Sequence, residues 1–331
     1  LLVSTLYACS SECDKGPDVS GINIEVYVKR LEQEMFNLKS NDEIVSFLNK
    51  NSWFSEKYLK RSSYPHDSIL INNIEVLITN EYLDTLYQEC QEVFGDFSDL
   101  KKDFESAFKN VKYYYPDYFT PEIYTVVTGF GLAGLQINIP TNDLFVSDSI
   151  IIIGIDYFLG EQARWRPRFF QYMLSRYSKE YIVPYCVMLI SKKYNNSDFL
   201  NSTLLTEMIY YGKLYYFAKQ ILPCTEDSII IGYTEQELSD CNKNVEIIWA
   251  HFIKRELLYQ TSPMIIAKYI GERPYIAEIG TKCPGRIGRW LGWEIVKKYM
   301  IQNTDVNLQN LMKDTDAQNI FTLSKYKPGK M

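Results

Sequence analysis

Histidine is almost missing from this chain. Its 331 residues include two, His66 and His251, far apart in sequence. A His-x-x-x-His zinc motif is therefore impossible. A Ser-His-Asp or Cys-His site would have to be built on one of these two residues. His66 follows Pro65 in a polar turn and reads as an exposed loop residue. His251 lies in an aromatic helical stretch and reads as buried or interfacial. The seven cysteines, at positions 9, 13, 90, 186, 224, 241 and 283, include no Cys-x-x-Cys pair. That removes a zinc ribbon and a thioredoxin-like motif, and the spacing supports no disulfide framework. Most of the later cysteines sit in apolar or helical surroundings and are expected to pack as small hydrophobes. Positive charge is not in excess: the net charge is -6, which argues against a general nucleic-acid-binding role. Past the first nine residues no apolar run reaches the length of a transmembrane helix. Nothing in these residues implies a metal or a cofactor.

What is present is an ordinary globular composition, 46% hydrophobic and 23% charged, in a chain long enough for one large domain or two small ones. The 27 tyrosines are the unusual feature. They suit carbohydrate- or protein-binding surfaces, and equally a tyrosine-rich core.

The first nine residues, Leu1 to Cys9, read as the tail of a signal-peptide apolar core. Leu6-Tyr7-Ala8-Cys9 resembles a bacterial lipobox, with Tyr7 an imperfect fit. In this reading residues 1–8 are residual signal peptide, Cys9 carries lipid, and residues 9–20 form a tether. Residues 21–331 are then a single globular domain. Alternating apolar positions predict a half-buried strand over 22–31. Helices are expected over 42–60, 80–94 and 98–112. Strands follow at 123–129, 135–139 and 149–157, the last too apolar for an edge and so central in a small sheet. Asp156 at the end of that strand is the best lone acidic candidate. It could bind, or it could cap a helix or pair with Arg164, Arg166 or Arg168. These arginines and Arg176 interleave with Trp165, Phe169, Phe170 and Tyr172, which suits a packed interface or an acidic ligand. A strong helix is expected over 204–219, with the stripe Leu204, Leu205, Met208, Ile209, Gly212, Tyr215 and Tyr216. Thr234 and Glu237 form a capping-box pattern. A connection over 259–282, a loop at Gly271-Glu272-Arg273-Pro274 and a last helix over 306–313 complete the pattern. The fold class is α+β, mainly helical with a small β-sheet.

The chain is organised around residues 283–300, a Pro-Gly turn feeding an amphipathic helix. Gly288 and Gly292 lie one turn apart. Each costs about 1 kcal/mol relative to alanine in a helix interior, so another backbone or a bulky partner is expected against that face. Arg286 and Arg289 fall in the first turn, where the helix dipole disfavours cations. They should therefore have an acidic partner in the chain or a ligand. Trp290 and Trp293 sit beside them, and tight core packing with a basic edge explains the same pattern.

PGRIGRWLGWEIVKKYM, beginning at Pro284, resembles the C-terminal signature of the GldB-type gliding-motility lipoproteins of Bacteroidetes. Agreeing stretches occur in order along the chain: CSSEC with PDVSGINIEVYVKRLEQEMF, GIDYFLGE, MIYYGKLYYFAKQILP, TEQELSDCNKNVEIIWAHFIKRELLY and IFTLSKYKPG. The resemblance covers nearly the whole chain. It implies an envelope lipoprotein anchored in a membrane, the outer more than the inner, that partners other cell-envelope proteins in gliding motility or surface-machinery assembly. GldB-type sequences are distantly similar to a group of predicted zinc proteases whose helix after a small sheet carries His-Glu-x-x-His. The matching stretch here is Met208-Ile209-Tyr210-Tyr211-Gly212, with no residue able to hold a catalytic metal. The resemblance therefore implies a degenerate, metal-free zincin-like scaffold and no catalysis. Arg286, Arg289, Trp290, Trp293, Asp156, Arg164 and Arg168 are the candidate binding residues. Two other functions stay open: a hydrolase using Asp156 with Glu207 or Glu278, and a glycan- or nutrient-binding lipoprotein with coplanar tyrosines along a groove.

Overall fold

The computed structural model describes residues 16–131, 140–198 and 202–328. The lipidation candidate Cys9, the signal-peptide remnant, most of the tether and the strand expected at 135–139 lie outside the described residues.

The alternation at residues 22–31 is real as a pattern of exposure, but only Val28–Arg30 forms strand β1. The reason is pairing. The neighbouring strand β2, Glu122–Val126, meets the segment in parallel at Ile123 to Thr125, opposite Val28 to Arg30. Among the described residues, those before Tyr27 pair with no strand. The sheet continues with β3, Leu144–Val146, and β4, Ile150–Gly154. Its order is β1-β2-β4-β3, with β2 and β4 parallel and β3 antiparallel to β4. Strand β4 is interior and buried along its whole length, as expected of an isoleucine run covered on both faces.

Between β1 and β2 run α1 (Leu31–Phe36), α2 (Asn41–Lys50), α3 (Asp67–Thr79), α4 (Glu81–Phe94) and α5 (Ser98–Tyr114). The helix expected over 42–60 ends at Lys50, and a π-helical turn follows at Phe54–Tyr58. Helix α3 was not expected from the sequence. His66 stands at its N-cap, exposed and without a side-chain capping bond. Other starts follow the local rules. Asn80 accepts from the amides of Tyr82 and Leu83 at the head of α4, which satisfies two of its orphan donors. Buried Glu32 in α1 is held by Arg30 and by the Thr125 hydroxyl at 2.5 Å.

After the sheet come α6 (Gln171–Leu174), α7 (Ile182–Ser191), α8 (Leu204–Ile221), α9 (Asp227–Ile231), α10 (Glu235–Lys243), α11 (Val245–Lys254) and α12 (Pro263–Ile270). The Thr234 and Glu237 capping box forms as the sequence predicts. The connection expected over 259–282 holds α12 and a two-stranded antiparallel ribbon, β5 (Tyr275–Ile276) and β6 (Gly280–Pro284). The chain then enters α13, Ile287–Gln302, and closes with α14 (Leu308–Lys313) and α15 (Ala317–Ser324). One contiguous apolar core runs from Val26 to Ile320. Cys90, Cys186, Cys241 and Cys283 are buried free thiols within or beside it, whereas Cys224 is disulfide-bonded, a linkage the cysteine spacing does not disclose. No helix among the described residues is long and apolar enough to cross a membrane.

Candidate functional site

Helices α8 and α13 meet backbone to backbone. A Cβ placed on Gly292 would lie 1.8 Å from the Met208 carbonyl oxygen, and one on Gly212 would lie 2.3 Å from the Gly292 carbonyl oxygen. The close approach anticipated from Gly292 is therefore α8 itself. The Met208 to Gly212 face is consumed by this contact. With α13 fixed this closely, its first turn is presented beside Tyr211 and Tyr215 of α8.

A pocket of about 380 Å³ opens there, between α7, α8, α9 and the start of α13. Its basic wall consists of Arg176, Lys192, Arg286 and Arg289, and its acidic residues are Asp143 and Glu272. The surplus is two positive charges, in a chain whose net charge is -6. Apolar lining comes from Met188, Leu189, Leu214 and Ile230 among others.

The two arginines predicted from the sequence do different work. Arg286 is buried, takes a left-handed backbone conformation with φ 59°, and caps α13. It donates to the carbonyls of Ile231 at 2.8 Å and Gly232 at 2.6 Å. It lies over the Tyr233 ring, and its Nε is 3.5 Å from Glu272. Gly232 is itself left-handed, and a Cβ there would meet Arg176 Cδ at 2.7 Å. Arg286 is thus fully committed inside the fold. Arg289 is held more lightly: its Nε donates to the Ile270 carbonyl at 2.7 Å. Its guanidinium stacks 4.1 Å from the Tyr211 ring centroid, with Tyr215 in hydrogen-bonding range. Among the described residues neither Arg289 nor the exposed Lys192 is in an ion pair.

Glu272 binds Arg176 with both oxygens, at 3.1 and 2.8 Å. Burial alone would raise its carboxyl, but Arg286 and Arg176 outweigh that and hold it below the usual glutamate range. Asp143 accepts the Tyr177 hydroxyl at 2.9 Å. The buried Nε of Arg176 has no partner among the described residues. Burial pushes the Tyr185 phenol up to about 12, so it stays a neutral hydroxyl at physiological pH.

The other predicted site residues are not brought to this pocket. Trp290 and Trp293 are core residues, 1% and 0% exposed. Arg164 and Arg168 are exposed on the segment before α6, where the Arg164 amide donates to Glu89 at 2.8 Å. Asp156 is 0% exposed, so no substrate or partner can touch it. Its Oδ2 accepts the Thr128 hydroxyl at 2.9 Å, its Oδ1 is unpaired among the described residues, and it makes none of the arginine pairs considered for it. Burial pushes its carboxyl up to about 6. Of the carboxylates considered for hydrolysis, Asp156 is thus buried and Glu278 is paired with Lys268. His251 is half-buried with Nε2 2.8 Å from the Tyr269 hydroxyl. The exposed tyrosines Tyr27, Tyr82, Tyr113, Tyr259 and Tyr275 come from separate elements, whereas Tyr177, Tyr185, Tyr211 and Tyr215 line the pocket. Sequence reasoning missed Glu272, which stood in a loop, and the wall tyrosines of α7 and α8. The signal that could find Glu272 was the need of Arg286 for an acidic partner.

No curated protein matches this chain, and no solved structure matches it. A family model described as gliding motility protein GldB matches residues 12–328. The match spans both halves of the pocket and every described element, and it agrees with the motifs that run in order through the sequence. The chain belongs to the GldB family of gliding motility proteins.

Proposed function

We propose that the chain is a non-catalytic cell-envelope lipoprotein that serves gliding motility by binding another envelope protein, with the pocket at the start of α13 as its docking site. Membership of the family supports the motility and envelope setting. The observation that carries the binding role is Arg289, a guanidinium positioned by stacking and hydrogen bonding yet in no ion pair with a carboxylate among the described residues, in a cationic pocket. A charge held this way is available to a ligand. The absence of catalysis is supported by what surrounds the acidic candidate: Asp156 is sealed in the core. The α8 face that would carry a metal motif in the distantly similar proteases is packed against Gly292, which supports a metal-free scaffold. Lipidation at Cys9 would hold the domain at the membrane surface, the outer membrane being the one proposed.

The test is cross-linking of the tagged protein in living cells, followed by mass spectrometry. A reproducible envelope partner, lost in Arg289→Gln, is expected. A protein that cross-links to nothing, or whose partner is indifferent to Arg289, would remove the docking role from this pocket. Cys9→Ala should release the protein from membranes, and a variant that still pellets and still takes up labelled fatty acid would refute the anchor.

A further inference from the structure

The pocket also defines what it can accept. We infer that it is a receptor for the C-terminal carboxylate of a peptide chain ending in an apolar residue, with Arg289 as the principal anchor and Lys192 at the rim. The inference rests on the docking role proposed above and names the group that docks.

The charge balance comes first. Both carboxylates of the wall are already engaged, Glu272 by Arg176 and Arg286 and Asp143 by the Tyr177 hydroxyl. Among the described residues, Arg289 and Lys192 are the cations of the wall in no ion pair with a carboxylate. Arg289 offers its terminal nitrogens in a fixed plane because Tyr211 stacks on one side and the Ile270 carbonyl holds Nε. A planar fork of this kind matches a carboxylate with two parallel hydrogen bonds. The unpaired Nε of Arg176, in a residue 6% exposed, leaves one more buried donor in the wall. Buried donors are seldom left unmet in a finished site.

The charge balance by itself admits a carboxylate or a phosphate, since the net attraction of the surplus grows with the charge of the ligand. The second consideration, which favours the end of a peptide chain, is shape. Beside the basic wall lie Met188, Leu189, Leu214 and Ile230. A charged group and an apolar group are therefore wanted a few ångströms apart. The last residue of a peptide supplies both, its carboxylate and its side chain, with few rotatable bonds to order.

The test is calorimetric titration of the purified full chain with three probes: acetyl-Ala-Ala-Gly-Leu with a free C-terminus, the same peptide amidated, and inorganic phosphate. The free-acid peptide should bind, and amidation should weaken it by at least about tenfold, the loss of one charge-assisted bidentate contact. Arg289→Gln should weaken it by a similar factor. Lys192→Glu, at an exposed position that cannot unfold the protein, should weaken it by roughly threefold or more through the rim charge. Equal binding of the acid and the amide would overturn the proposal, as would indifference to both substitutions or no binding of the peptide at millimolar concentration. Phosphate binding more tightly than the peptide in an Arg289-dependent manner would replace it with a phosphate site. If the peptide fails while the cellular cross-link still depends on Arg289, the carboxylate identity falls and the docking role stands. If both fail, both fall.

Discussion

The α-carbon of Gly292 lies so near the Met208 carbonyl that a methyl group on it would sit 1.8 Å from that oxygen. In an isolated helix, Gly to Ala stabilises by about 1 kcal/mol. Here the added carbon meets backbone, which has no rotamer to move away. Gly292→Ala is expected to destabilise the protein, by about 3 kcal/mol or more once α8 and α13 are forced apart. Urea unfolding followed by circular dichroism checks the sign. Increased stability would mean that the two helices are not in backbone contact. Because Tyr211 rides on α8 and Arg289 on α13, the same variant should also loosen the pocket.

Arg286 and Arg289 stand three residues apart and should behave oppositely on substitution. Arg286 is 7% exposed and satisfies two carbonyls at the α9 C-terminus. Arg286→Met leaves those carbonyls and part of Glu272 unpaired, an expected cost of about 3 kcal/mol. Arg289→Gln gives up hydrogen bonding and a stacking contact, expected to cost about 1 kcal/mol. Thermal melting of the two variants side by side separates them. If Arg289→Gln were the more destabilised, Arg289 would be a structural residue and its use as a binding probe would be lost.

Much of this arrangement is legible in the sequence. The glycine pair demanded a close neighbour and has it in α8; of the first-turn arginines that demanded partners, Arg286 has Glu272, while Arg289 is in no ion pair among the described residues. The isoleucine strand announced its own burial. What local pattern could not supply was the identity of the neighbours. Glu272 reaches Arg176 across 96 positions of sequence, and nothing near Glu272 marks it. Strand β1 was overextended because alternation reports which side is wet and does not report where a partner strand ends. Trp290 and Trp293 share the arginines' side of the helix, and what buries them is the neighbouring packing, Tyr215 of α8 against Trp293 among it, which the helix's own sequence does not show. Asp156 at a strand end looked like an open acid. Its burial is set by the elements packed over β4, which lie far away in the chain.

The buried Asp156 makes a prediction about pH. Its carboxyl is raised from a reference of 3.8 to about 6 by burial. Below pH 4 the group is protonated in both the folded and the unfolded chain and costs nothing. Between pH 4 and 6 the unfolded chain releases its proton while the folded form keeps it in the dry site, so stability falls across that window and levels off above 6. The gap corresponds to about 3 kcal/mol at its full extent. Asp156→Asn keeps the shape and can still accept the Thr128 hydroxyl. The variant should be more stable than wild type at pH 8, with the difference closing by pH 4. A difference that does not change with pH would show that Asp156 is not the titrating group.

Glu272 makes the opposite prediction, and it links stability to the pocket. Its carboxyl is held below the reference value of 4.5. The stabilisation is therefore present above pH 4.5 and is lost as pH falls through the depressed value. Its side chain is 34% exposed, so solvent screening limits the ion pairs to about 1 kcal/mol. Glu272→Gln should be less stable than wild type by that amount at pH 7, with the two curves converging in acid. The same change frees Arg176 and raises the charge surplus of the pocket by one. An anionic probe should therefore bind the variant more tightly than wild type, the gain shrinking as salt screens it. Titration of the free-acid peptide into Glu272→Gln at low and high salt reads both effects. Weaker binding at every salt concentration would mean that the carboxylate of Glu272 orders the arginines more than it competes with the ligand.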